Sequence, residues 1–161
     1  MIVVANTTPL IGLATIQRFE LLNQLFGEIH IAQAVYDEAV VRGREEGGAK
    51  IEVSTASWIK IVRVQDRLAV DVLLDELDLG EAETIVLARE VGADWVIMDE
   101  KKGRRKLAEL KLNKIGTLGL LLKAKQVGFL SSIRSDVEQL RKQGFSISQD
   151  VIDSVLRQAN E

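Results

Sequence analysis

The chain opens on "IVVANTTPLIGLA", and this stretch constrains its fold more than any other. Ile2, Val3 and Val4 form a continuous apolar run, which suits a strand buried on both faces of a parallel sheet. Thr8 followed by Pro9 reads as an N-cap with proline at the first helical position, so a helix is expected to begin there. Asn6 then falls at the carboxyl end of a strand, in the crevice where open α/β sheets bind their ligands. A second buried strand is expected at Trp95–Met98 in "DWVIMDE", and it too ends on acids. Strands alternating with helices imply a mostly parallel sheet covered on both faces, the α/β class.

The remaining elements follow from periodicity and breakers. Helices are expected over Pro9–Ile16 and Phe19–Phe26, then a strand over Glu28–Ala32 and a helix in "QAVYDEAVVRGR". "EEGGAK" is the best loop in the chain. Trp58 to Val64 alternates apolar and basic residues, as a half-buried edge strand does. Arg67–Leu77 and Gly80–Val91 read as successive helices, "KKGRRKLAEL" as another, and "LNKIG" as a short strand. Gly128 should stop the helix in "TLGLLLKAKQVG", and Gly144 the one that starts at Ser131. A last amphipathic helix runs from Ser148 to Asn160. No repeat or long linker divides the 161 residues, so one domain spanning 1–161 is expected, with the helices of 131–160 packed on it or appended to it.

Composition removes several kinds of chemistry. The chain has no cysteine, which excludes disulfides, thiolate metal sites and cysteine catalysis, and suits a reducing cytoplasm. No apolar run reaches membrane-spanning length, and the N-terminus lacks the flank and cleavage site of a signal peptide. A net charge of −3 argues against binding nucleic acid by bulk electrostatics while leaving room for a local basic patch. There is no phosphate-cradling glycine loop and no G-x-S-x-G elbow. The one histidine, His30, reads as an ordinary strand residue. Any catalysis must then rest on carboxylates.

Four positions aim a carboxylate or its amide inward. Asn6 and Asp99 end apolar strands, Glu81 stands in the first turn of its helix with Ile85 and Ala88 on the same face, and Glu38 shares a face with Ala34, Val35 and Val41. Glu83 is expected on the opposite side of its helix, with Leu87 and Glu90. Each acid also has a structural reading: Glu81 as a dipole-compensating residue, Glu38 as a rim acid, Asp99 as the cap of the next helix. Acids from separate elements meeting at strand ends would make a site for a hard cation, Mg²⁺ or Mn²⁺. The basic run Lys101, Lys102, Arg104, Arg105 and Lys106 is either a solvated helix face or a set of phosphate contacts beside that site. Trp58 and Trp95 suit the core or an interface, and the few aromatic residues argue against stacking along a long single strand.

The stretches "VVANTTPLIGLA", "VYDEAV", "LDLGEAETIVLA", "VIMDEKKGRRKLAEL", "GTLGLLLKAKQVG" and "GFSISQDVIDSVLRQANE" together resemble the PIN-like nucleases, closest to a prokaryotic branch that carries the GEAE signature. The likeness runs in order over nearly the whole chain. It implies a Rossmann-type three-layer sandwich and a metal-dependent ribonuclease site. Carried over residue by residue, the family's first aspartate falls on Asn6, its helix glutamate on Glu38, its third acid on Glu81 and its strand-end aspartate on Asp99, with Glu100 as an adjacent contributor. Thr7 and Thr8 follow the first position as hydroxyls that help to hold the ligand. The implied cofactor is Mg²⁺ or Mn²⁺, and the implied substrate is RNA, flanked by Lys101, Lys102, Arg104 and Arg105. Related VapC-type toxins imply a small antitoxin partner and a homodimer. Asn6 departs from the family's pattern: an amide oxygen can ligate Mg²⁺ but brings no charge and cannot act as a base. A PIN-like domain impaired in catalysis, binding nucleic acid or protein, is the alternative.

Overall fold

The computed structural model describes every residue from Met1 to Glu161. It is an α/β sandwich around a five-stranded, wholly parallel sheet in the order β3-β2-β1-β4-β5. The chain runs β1 (Val3–Ala5), α1 (Thr7–Thr15), α2 (Leu21–Phe26), β2 (Ile29–Ala32), α3 (Gln33–Tyr36), a π-helical turn (Asp37–Val41), α4 (Lys50–Thr55), β3 (Ile59–Val62) and α5 (Arg67–Leu73). It continues through α6 (Leu79–Val91), β4 (Trp95–Ile97), α7 (Lys101–Glu109), β5 (Lys114–Ile115), α8 (Thr117–Gln126), α9 (Arg134–Lys142) and α10 (Gln149–Gln158).

The central strand behaves as its composition dictates. Val3, Val4 and Ala5 are fully buried, because helices cover both faces of a parallel sheet. The edge strand β3 instead exposes Lys60 and Ile61 while burying Ile59, and its lysine discourages further strand pairing. Leaving β1, the chain moves outward to β2 and β3, then crosses back to place β4 on the other side of β1. The connections therefore diverge from the carboxyl ends of β1 and β4, which opens a crevice there.

Several boundaries differ from the sequence reading for local reasons. The first helix begins at Thr7 with Asn6 as its N-cap, not at Pro9 after Thr8. Pro9 is its third residue, a position whose N–H would have no intrahelical partner in any case. The Asn6 side chain makes no capping bond, because its amide is engaged elsewhere. The helix after β2 changes to a π turn at Asp37, and α4 follows the "EEGGAK" loop, where no helix was expected. The strand foreseen to Val64 stops at Val62, and the helix foreseen to Leu77 stops at Leu73. Gly128 and Gly144 adopt φ values of +90° and +99° just past α8 and α9, the left-handed stops that the sequence implied.

The last helices join the same apolar core as the sheet. Ile133, Val137 and Leu140 of the α9 segment and Ile152 and Leu156 of α10 are buried, and α10 packs on α8. Trp58 and Trp95 are half-buried against that core. His30 lies on β2, within 3.4 Å of Glu28, as a strand residue should. No helix is long and apolar enough to cross a membrane.

Candidate active site

The crevice at the β1–β4 switch point is lined by acids. Asn6, immediately after β1, donates from Nδ2 to Glu100 Oε2 at 3.1 Å and to Met98 Sδ at 3.3 Å. Its Oδ1 is buried and accepts no hydrogen bond, the one buried side-chain oxygen in the chain left in that state. An orphaned carbonyl oxygen in a buried position is costly unless a donor or a cation meets it.

Two adjacent hydroxyls organise the carboxylates around this amide. Thr7 Oγ1 donates to Glu38 Oε2 at 2.7 Å, and Thr8 Oγ1 donates to Glu100 Oε1. Glu38 projects from the π turn, whose extra residue re-aims side chains relative to a regular helix. It reaches Gly80 at the start of α6 so closely that a Cβ added there would lie 2.3 Å from Glu38 Oε1. Gly80 is glycine because the carboxylate occupies the space of a side chain.

Glu81, next to it, closes a capping box on α6. Its Oε1 accepts from Asp78 N at 3.1 Å, and Asp78 Oδ1 accepts from Glu81 N at 2.8 Å. The dipole-compensating reading of Glu81 is thus correct for one of its oxygens. Burial pushes its pKa up to about 7, against the backbone bond from Asp78, with the charges of Asp78 and Glu100 adding to the rise. Burial also holds Glu38 above the usual range; the bond from Thr7 opposes this, and Asp78 and Glu100 reinforce it.

Asp99 faces a different way. Its Oδ1 accepts from Thr117 N at 2.8 Å and its Oδ2 from Thr117 Oγ1 at 2.7 Å, so it caps α8 rather than the helix that follows it. Burial raises its pKa, the two Thr117 bonds lower it, and Glu100 raises it again. Gly116 leaves room for this arrangement, since a Cβ there would stand 2.8 Å from Asp99 Oδ1. All four acid or amide positions expected from the sequence gather around Glu100: Asn6 by hydrogen bond, Glu38, Glu81 and Asp99 by charge. Asp99 stands beside them with its oxygens turned to α8. No three acids close to within common reach of one ion.

Glu83 faces away from Glu81, as its spacing implies, and that side of the helix is buried too: it accepts from Ala34 N at 3.0 Å and from Arg67 Nη1 at 2.7 Å. It ties α3 and α5 to α6 and takes no part in the crevice. The basic run also divides. Lys101, Lys102 and Arg105 are exposed, Lys106 pairs with Glu109 at 2.9 Å and lies 3.7 Å from Glu76, and Arg104 Nη1 donates to Met98 O at 2.9 Å. Asp78, Gly80, Gly116 and Thr117 were not singled out from sequence. The D-x-x-E spacing of "DLGE" is the one local signal that could have found Asp78.

An open parallel sheet with acids at its switch point is a fold for ligand chemistry at strand ends. A family model described as a PIN domain, DUF3368, matches residues 2–161, and the chain belongs to that family. PIN domains have a nuclease-type fold, are generally dependent on divalent metal and generally bind nucleic acid. No curated protein matches the chain significantly.

Proposed function

We propose that the chain is a metal-dependent endoribonuclease, with Asn6, Glu38, Glu81, Asp99 and Glu100 as its acidic centre. The observation that carries this reading is the buried, unpartnered Asn6 Oδ1 beside carboxylates raised by burial and by one another. An oxygen-only donor set short of positive charge fits Mg²⁺ or Mn²⁺. Bound there, the ion supplies Lewis acidity to a water and to the scissile phosphate.

The protein's own residues supply the positioning. Thr7 and Thr8 hold Glu38 and Glu100 by their hydroxyls, Gly80 admits the Glu38 carboxylate, and Thr117 holds Asp99. Asn6 contributes a neutral oxygen and no base. Lys101, Lys102, Arg104 and Arg105 neutralise flanking phosphates without reading sequence. The continuous core supports one domain over 1–161. The likeness to VapC-type toxins supports a cytoplasmic toxin role, as a homodimer held silent by a small antitoxin.

One observation favours a second reading, a domain that binds without cutting. The Asn6 amide already donates to Glu100, partly satisfying by an N–H what an aspartate would leave to a cation. Cleavage of a generic single-stranded RNA with Mn²⁺ separates the two. The nuclease reading expects cutting by the chain as it stands, faster cutting by Asn6→Asp, and loss in Glu100→Gln and Asp99→Asn. RNA left intact by both the unchanged chain and Asn6→Asp would leave the binding module.

A further inference from the structure

A cavity of about 540 Å³ opens at the amino edge of the sheet, opposite the acidic centre. Crossover helices run back from the carboxyl edge of a parallel sheet, so α1 and α4 both end at this side. Ala14 and Thr55 of their last turns line the cavity, and Trp58 lines it immediately before β3. The floor is aromatic. Phe19 is buried, and its ring meets that of Trp58 with centroids 5.3 Å apart and planes tilted by 37°. Trp58 O accepts from Ile29 N at 3.0 Å, which holds the half-buried indole at the start of the edge strand.

Every charged side chain in this lining is negative. Glu20 and Glu52 border the cavity, no lysine or arginine does, and neither acid makes an ion pair. Arg18, between Gln17 and Phe19 in the chain, is instead held by Asp136 at 3.1 Å. The helix ends act in the same sense. Neither α1 nor α4 has a basic residue in its last turn, whereas each of α6 to α10 has at least one. The negative ends of two helix dipoles therefore meet here without a cation to offset them. Gln17, Thr55 and Ser57 add neutral oxygens to the lining.

We infer that this cavity binds an organic cation, a primary ammonium on an alkyl stem, between Trp58 and the carboxylates of Glu20 and Glu52. The indole attracts the ammonium through its ring quadrupole, and the carboxylates accept its N–H donors. The stem covers the apolar surface of Ala14, Phe19 and Ala56, a contact that a hydrated metal ion cannot use. Two sources carry such a group: a free polyamine and a lysine side chain of another protein. The inference is independent of the nuclease reading, because the cavity shares no residue with the acidic centre.

The test is a nuclear magnetic resonance titration of the full chain, isotope-labelled, following the indole N–H signals of Trp58 and Trp95 at constant ionic strength. The probes are spermidine, a blocked lysine tripeptide and, as the inorganic control, potassium. The Trp58 signal should move and saturate with the organic cations while the Trp95 signal stays in place. Glu20→Gln with Glu52→Gln should weaken binding about tenfold, the loss of two carboxylate contacts at a partly wet site. Glu20 is exposed and Glu52 half-buried, so this variant keeps the core intact, and its spectrum reports that directly. Trp58→Leu, followed through backbone signals of α4, should weaken binding about fivefold. Tighter binding of spermidine than of the peptide assigns a polyamine, and the reverse order assigns a basic protein segment. A Trp58 signal unmoved by either probe up to about 10 mM, or moved equally by potassium, overturns the site. Affinity within about twofold of the unchanged chain in the double glutamate variant overturns it as well.

Discussion

Glu161 closes the C-terminal corner of the molecule and Glu81 stands in the acidic centre, and the two glutamates have opposite surroundings. Glu161 accepts from Ser132 Oγ, Lys125 Nζ, Ile133 N and Arg134 N, and its pKa falls to about 2, led by the Ser132 hydrogen bond. Glu81 accepts from one backbone N–H, has Asp78 and Glu100 for neighbours, and rises to about 7 through burial. A carboxylate rich in donors is a fastening: it joins α8, the start of α9 and the end of the chain. A carboxylate crowded by other acceptors is unfinished chemistry, stable only if a proton or a cation joins it. Glu83, buried but matched by Arg67 and Ala34 N, belongs with the fastenings.

The sharpest break in this comparison comes from Glu100→Gln. Removing the acid that Asn6 and Thr8 hold should cost at least about 100-fold in RNA cleavage, roughly 2.7 kcal/mol in the barrier, with the fold intact by circular dichroism. Glu161→Gln should do the reverse, losing about 2 kcal/mol in urea unfolding while cleavage per folded molecule is unchanged. Gly80→Ala tests the close approach of the Glu38 carboxylate to α6. Helix propensity alone would make alanine stabilising by about 1 kcal/mol, yet the Glu38 carboxylate must move. Cleavage should therefore fall about tenfold with no drop in melting temperature.

The smallest effects lie in pH. Glu81 binds its proton more tightly folded than unfolded, so the stability it confers without metal is complete below pH 4.5 and is lost as pH rises through about 7. For Glu161 the stability is complete above pH 4.5 and is lost as pH falls towards about 2. Melting curves in EDTA should show Glu81→Gln flattening the neutral limb and Glu161→Gln the acid limb. A neutral limb unchanged by Glu81→Gln would place that residue with the fastenings.

Much of this was legible in the sequence, for physical reasons. Continuous apolar runs such as "IVV" and "WVI" mark strands buried on both faces, so Asn6 and Asp99 could be placed at strand ends before any coordinates. Helical spacing put Glu83 on the side away from Glu81 but did not reveal that this side is buried as well. Periodicity works only where a helix has a wet side, and α6 is buried without a break from Gly80 to Ala88. Glu100 was underrated beside Asp99 because adjacent residues on an extended connection point opposite ways, and sequence does not say which faces the crevice. The π turn shifts Glu38 off regular helical spacing, and the role of Gly80 depends on a carboxylate brought from another element. The direction Asp99 faces is set by Thr117, 18 residues away.

The central claim is that the acids around Asn6 are completed by a divalent cation, and a Mn²⁺ titration followed by thermal unfolding tests it most directly. At about 100 times its Kd a bound ion contributes about 2.7 kcal/mol, enough to raise the melting temperature by several degrees. The account predicts such a rise for the chain as it stands, a larger one for Asn6→Asp, and none for Glu100→Gln. Equal melting temperatures with and without Mn²⁺, in both the unchanged chain and Asn6→Asp, would contradict it.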